Sequence, residues 1–290
     1  MKRFLGLLLI FTVVMGIISG CSNNSDGFKA DRTINVVTRE EGSGTRGAFV
    51  EIVGIIEEDE NGEEVDRTYE EAIVQNSTNA VMTTVAGDDY SIGYISLGSL
   101  NDTVKAVQID GVEATAENIL SGSYKVSRPF NLAYKGDLSL VAQDFLNFIL
   151  SSQGQEVVAN EGYVKASIQA PSYEAIGSHS GTVVVAGSTS VTPLMEKLAE
   201  AYKKLHPDVS IEIQSTGSSA GMQSAMEGTA DIGMASRDLK DSELAELTNV
   251  VIALDGIAVI VNNNNPIENL SLENLKSIYM GEITSWSEIE

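Results

Sequence analysis

The sequence is poor in the residues that carry most protein chemistry. Its 290 residues include one cysteine, two histidines, one tryptophan and five prolines. A single cysteine excludes an internal disulfide. One Cys and two separated His leave no Cys/His cluster at zinc spacing, and the phosphate-loop pattern G-x-x-x-x-G-K-[ST] is absent. No metal or cofactor is expected. Basic residues are scarce too, 18 against 41 acidic ones, for a net charge of −23. Such a surface repels a phosphate backbone and argues against nucleic acid as a partner. It does not exclude a small anion in a closed pocket, because backbone N–H groups and helix N-termini bind anions locally. Long apolar runs are limited to residues 4–18, too short and wrongly flanked for a membrane span.

That apolar run follows Lys2 and Arg3 and ends in "IISGC", the pattern of an export signal over residues 1–20. Ser19-Gly20 before Cys21 resembles a bacterial lipobox. Cys21 is therefore expected to become the lipidated first residue of an exported protein, anchored to the outer face of the bacterial cytoplasmic membrane. Residues 21–32, polar after Cys21, read as a tether.

The remainder, with 43% apolar and 20% charged residues overall, suits two lobes of roughly 100–150 residues each. Strands are expected at 33–38, 90–98 and 124–135, with helices at 47–56, 76–88 and 140–150. The charge run 57–67 reads as a solvated loop. Asp110-Gly111 reads as the turn of a short hairpin, and Pro129 suggests an edge or a crossing point. Periodicity vanishes over 166–181, a linker. It resumes with strands at 182–187, 210–216, 230–236 and 249–262, with a helix opening at Thr192-Pro193. Such α/β alternation implies open, mainly parallel sheets, whose ligands sit beyond the carboxyl ends of the strands.

Four strand ends there carry small polar residues: "AGSTSVTP" (186–193), "STGSSAGM" (215–222), "MASRD" (234–238) and "GSGTRG" (42–47). Hydroxyls can donate to an oxyanion, glycine lets the backbone approach, and a helix start offers free N–H groups. Beside Arg39 and Arg237 they favour an anion site. Arg39 supplies a planar fork for tetrahedral oxygens, with Glu41 expected to fix its guanidinium, while Arg46 reads as a solvated arginine. "GSSAG" matches the hydrolase elbow G-x-S-x-G with Ser219 as nucleophile, but His179 and His206 both precede it, against the elbow's order.

These stretches, with "IALDGIAVIVNNNNP", "LKSIYMGEITSWSEI", "GYISLG" and "FLNFILSSQGQ", resemble the phosphate-binding (PstS-like) lipoproteins of Pst-type ABC importers. The resemblance implies a two-lobed, hinged, periplasmic-binding-protein-like (type II) α/β fold. It implies a monomeric, non-enzymatic protein that closes on inorganic phosphate and delivers it to an ABC permease. Matching motifs assign the ligand contacts to Thr189, Ser190, Ser218, Arg39, Ser43, Gly44 and Thr45. Where several family members carry an aspartate that accepts the proton of hydrogen phosphate, this chain reads "ASRD". Ser236 takes that place without a gap and Arg237 with one, and Asp238 or Asp255 could replace the acceptor. A phosphate-sensing or adhesive surface protein with the same fold is the alternative function.

The order of the segments departs from that family. The chain begins where family members are halfway through and ends at the natural join, so it looks circularly permuted. The linker 166–181 then joins the old termini. One lobe is expected to be split, 33–124 plus 263–290, and the other continuous, 125–262. Crossings are expected near 127–129 and 261–264. A truncated tandem pairing between molecules is the rival arrangement.

Overall fold

The structure is a computed structural model that describes residues 27–59, 64–177 and 180–289. The signal segment, Cys21 and His179 lie outside them. Strand β1 (Asn35–Arg39) is buried from Val36 onward, on both faces, as a central strand of a parallel sheet must be. It pairs in parallel with β2 (Ile73–Gln75) and β3 (Ser91–Ser96). Further along the chain, β4 (Ser127–Tyr134) precedes a second parallel group, β5 (Gly181–Gly187), β6 (Val209–Ser215) and β7 (Ile232–Ala235). The long β8 (Thr248–Val261) joins the groups, and the strand order is β6-β5-β7-β4-β8-β3-β1-β2.

Two main cores flank this path. One packs Phe49 against Tyr94 at 4.0 Å, with Tyr279, Trp286, Ile257, Val259 and Val261. The other gathers Phe130, Phe145, Phe148, Tyr202, Ile252 and Ala253. Strand β8 therefore changes lobes between Ala253 and Ile257. At that point it is antiparallel to β4, with Leu254 opposite Pro129, Asp255 opposite Arg128 and Gly256 opposite Ser127. Both crossings lie side by side at 127–129 and 254–256. The boundary expected at 262 falls earlier because residues 257–261 pair with β3 and pack in the split lobe. Pro129 fits here because β7 pairs with β4 only over residues 131–133, so its missing N–H breaks no ladder bond.

Helix α1 (Gly44–Val53) starts three residues before the apolar pattern suggested, because Ser43 caps it by accepting from the Arg46 amide at 3.3 Å. Helix α2 (Thr78–Ala86) is capped by Ser77 in the same way. The charge run is not all loop: Ile56–Glu58 and Glu64–Asp66 pair antiparallel, and Arg46 is bound to Asp66 rather than solvated. Helix α3 (Leu140–Leu150) and α4 (Ser152–Asn160) precede the linker. The linker is fastened by Tyr173, whose hydroxyl meets Asp144 and His206. Helix α5 (Thr192–Leu205) follows β5, and α6 (Ser218–Glu227) follows β6. The end of the described chain returns to its beginning: Ile34 donates to the Thr284 carbonyl at 2.8 Å and Ser287 to that of Ala30 at 2.7 Å.

Candidate functional site

At the carboxyl end of β1 the Arg39 side chain is 2% exposed. Tyr94, buried behind it on β3, places its hydroxyl 3.2 Å from the Arg39 amide and 2.8 Å from Thr38 Oγ1. The guanidinium forms a two-bond fork with Glu40, Nε to Oε2 and Nη2 to Oε1, both at 2.8 Å. Sequence reasoning expected Glu41 here. The chain turns at 41–42 as it leaves the strand, so Glu40 folds back onto the arginine and Glu41 is left exposed.

From this lobe the contacts run directly to the other. Arg39 Nη2 also donates to Thr189 Oγ1 at 3.1 Å. Thr45 Oγ1 and Ser190 Oγ lie 2.8 Å apart, and the Ser219 amide donates to the Gly42 carbonyl at 3.2 Å. Ser218 Oγ accepts from the Ser236 amide at 3.2 Å, and Ser236 Oγ accepts from Ser188 Oγ at 2.9 Å. Gly44 makes the approach possible: a Cβ there would collide with Ser218 Oγ and lie 2.9 Å from Ser236 Oγ. The structure thus brings together Arg39, Ser43, Gly44, Thr45, Thr189, Ser190, Ser218 and Ser236, from loops far apart in sequence.

One member was missed. Thr78, at the first position of α2 and 4% exposed, lies 3.1 Å from Ser190 Oγ and 3.4 Å from Thr189 Oγ1. Its signal is the "NST" before a helix, the same signature as the other four loops. The strand in front of it is only three residues long and gave no strand reading.

The "ASRD" segment resolves without a gap. Ser236 sits in the hydroxyl group, whereas Arg237 turns away and forms its own fork with Glu243 at 2.7 and 2.8 Å. Burial pushes the Glu243 carboxyl up, but the bonds and charge of Arg237 outweigh it and hold the pKa below the ordinary value. The remaining Arg237 side-chain contacts are the Asp238 carbonyl and, at 3.4 Å, Ser219 Oγ. Neither proposed acceptor joins the hydroxyl group. Asp238 is exposed, and Asp255 is bound to Arg128 and Ser96 at the strand crossing. Ser219, the nominal elbow serine, faces Arg237, while His206 is engaged with Tyr173 at 2.7 Å. Among the described residues no group of three His, Cys, Asp or Glu is placed to hold a metal ion.

Chemically, the cleft offers six hydroxyls (Thr45, Thr78, Thr189, Ser190, Ser218 and Ser236), the starts of α1, α2 and α6, and one guanidinium whose charge Glu40 balances. Neutral, rotatable donors around a single cation suit a small tetrahedral oxyanion, which needs many short bonds and little net countercharge.

The family profile described as "PBP superfamily domain" matches residues 13–153 and 172–289. The chain belongs to this superfamily. It is 50% identical over 290 residues to "Phosphate-binding protein PstS 2" of Streptococcus agalactiae serotype V, covering 99% of this chain and 98% of that one. An end-to-end match means that the segments of that relative run in the same order as here. "Phosphate-binding protein PstS" of Pseudomonas aeruginosa is 37% identical over 117 residues only, 38% of this chain. A crystal structure of "a phosphate ABC transporter, phosphate-binding protein" from Streptococcus pneumoniae TIGR4 superposes with a TM-score of 0.71 at 49% identity. It covers 89% of this chain and 100% of that one. This PBP-superfamily chain is thus a two-lobed binding protein, with its polar loops at the lobe junction.

Proposed function

We propose that the protein captures inorganic phosphate between its lobes, without altering it chemically, and delivers it to an ABC permease. The observation that carries this is the meeting of Arg39 and Thr45 with Thr189 and Ser190 across the cleft. The likeness to proteins named for phosphate binding supports the choice of ligand. The contacts are Arg39, Ser43, Gly44, Thr45, Thr189, Ser190, Ser218 and Ser236, with Thr78 added and Arg237, which is forked to Glu243, left out. Lobe closure around the anion forms the surface that a permease reads.

The protein is exported and held by a lipid on Cys21, and it works as a monomer with one split lobe and one continuous lobe. No helix among the described residues is long and apolar enough to cross a membrane. Titration calorimetry of phosphate into the protein freed of residues 1–21 tests the ligand. A saturable heat with one site per chain is expected, and no heat at millimolar phosphate would overturn the reading.

A further inference from the structure

One face of α1 leads from the oxyanion loops into a second space. Gly44, at the first position of the helix, faces Ser218 and Ser236 of the other lobe. Gly47 is three residues on, about 4.5 Å along the helix axis. It faces Arg237 instead: a Cβ on Gly47 would stand 3.5 Å from Arg237 Cδ. Beyond that point the face opens. Gly47, Ala48 and Ile52 line a cavity of about 640 Å³ with Pro129, Leu239 and Arg237. Its described lining includes none of the anion contacts. The cavity therefore begins within one helical turn of Gly44, yet is closed off from it.

The closure is a short row of side chains from the other lobe. Ser219, next to the anion contact Ser218, donates its amide to the Gly42 carbonyl at 3.2 Å. Arg237, next to the anion contact Ser236, reaches Ser219 Oγ with Nη2 at 3.4 Å and lays its stem against Gly47. The arginine is buried and held from several sides. Glu243 takes both ends of its guanidinium, at 2.7 and 2.8 Å, and Nη1 also donates to the Asp238 carbonyl at 2.8 Å. The Arg237 carbonyl accepts from Asn131 Nδ2 at 2.8 Å. To swing aside, the side chain would have to leave a buried carboxylate unpaired, which is costly. Its charge is matched by Glu243, so what Arg237 gives its surroundings is bulk in a fixed place.

We propose that Arg237 is a specificity-determining residue of the oxyanion site: its fixed side chain walls the site off from the cavity, so that a free tetrahedral anion fits and a phosphate monoester does not. The proposal rests on the reading of the cleft as an oxyanion site. A free anion presents only bare oxygens and can be surrounded. An ester carries one oxygen whose substituent needs room, and the cavity is of ligand-binding size. With Arg237 in place, a substituent directed along α1 meets the arginine stem, and discrimination comes from that clash rather than from a lost bond.

The test titrates phosphate and ethyl phosphate, at an alkaline pH where both are doubly charged, into wild type and a double variant. The variant combines Arg237→Ala with Glu243→Gln, so that no unpaired charge stays buried. Wild type is expected to bind ethyl phosphate at least about 100-fold more weakly than phosphate. In the variant, phosphate affinity is expected to stay within about threefold, while that for ethyl phosphate rises about tenfold or more. A merely structural Arg237 predicts that both ligands weaken alike and their ratio holds, and that result would overturn the proposal. So would loss of phosphate binding alone, which would make Arg237 a ligand contact, or equal binding of the two ligands by wild type. Thermal melting checks folding. If the variant does not fold, Arg237→Leu with Glu243→Leu, a shorter apolar pair, must show the same gain in the ester-to-phosphate ratio. Wild type that binds neither ligand overturns the phosphate reading itself, a result distinct from an unchanged ratio.

Discussion

The hydroxyls of Thr45 and Ser190, 145 positions apart in the chain, meet at 2.8 Å across the cleft. Each belongs to a different core, so their bond exists only when the lobes are together. The same holds for Arg39 and Thr189.

Among the described residues, Arg39 is the one guanidinium bonded into the hydroxyl group. Arg39→Ala is expected to weaken phosphate binding by about 2–5 kcal/mol, the usual loss when one member of a buried charge pair is removed. Glu41→Gln should leave the affinity within about twofold, because Glu40 and not Glu41 grips the guanidinium, as calorimetry on both variants would show. An equal loss from Glu41→Gln would put the fork on the wrong residue.

Gly44→Ala is a test of lobe approach. The added Cβ would strike Ser218 and Ser236, both from the other lobe, while the helix it sits on gains a better helix former. Phosphate affinity is expected to fall at least about tenfold with melting temperature nearly unchanged, since the clash arises only on closure. A large fall in melting temperature with affinity intact would contradict this.

Ser236 offers a rotatable hydroxyl where a carboxylate would demand a proton from its guest. The hydroxyl can accept from hydrogen phosphate or donate to sulfate. Sulfate is therefore expected to compete measurably with phosphate in wild type. Ser236→Asp should raise the phosphate-to-sulfate ratio of association constants, because sulfate has no proton to offer the new carboxylate. Competition titrations measure that ratio directly.

Asp255 should leave a mark on stability against pH. Burial pushes its carboxyl up from 3.8 to about 6, against the pull of Arg128 and Ser96. A raised folded-state pKa means that the folded protein holds a proton the unfolded chain has lost. Stability from this group is therefore complete below about pH 4 and declines as pH rises through about 6. Urea unfolding of wild type and Asp255→Asn across that window should show the wild type losing ground to the variant as pH increases. A difference that is flat with pH would exclude Asp255 as the source.

Much of this was legible in the sequence because strand ends with small polar residues mark ligand loops in open α/β sheets. That rule picked out the loops 186–193, 215–222, 234–238 and 42–47, and the family resemblance singled out Thr189, Ser190, Ser218 and Ser236 within them. It failed where local pattern is silent. Glu40 and Glu41 are indistinguishable until the turn at 41–42 decides which folds back. Thr78 follows a strand too short to show periodicity. Arg237 was assigned to the site because the pairing of a buried arginine with Glu243, six residues on, depends on tertiary direction. The lobe change in β8 was placed too late because the strand runs unbroken from Thr248 to Val261, and Asp255, which marks the crossing, was read as a candidate proton acceptor.

The seam between Thr284 and Ile34 has a mechanical consequence. Whatever grips the leading segment of the chain grips the half built around Phe49 and Trp286. With a lipid on Cys21, that half would ride close to the bilayer as a fixed base, and the half carrying Thr189 and Ser218 would be the jaw that swings.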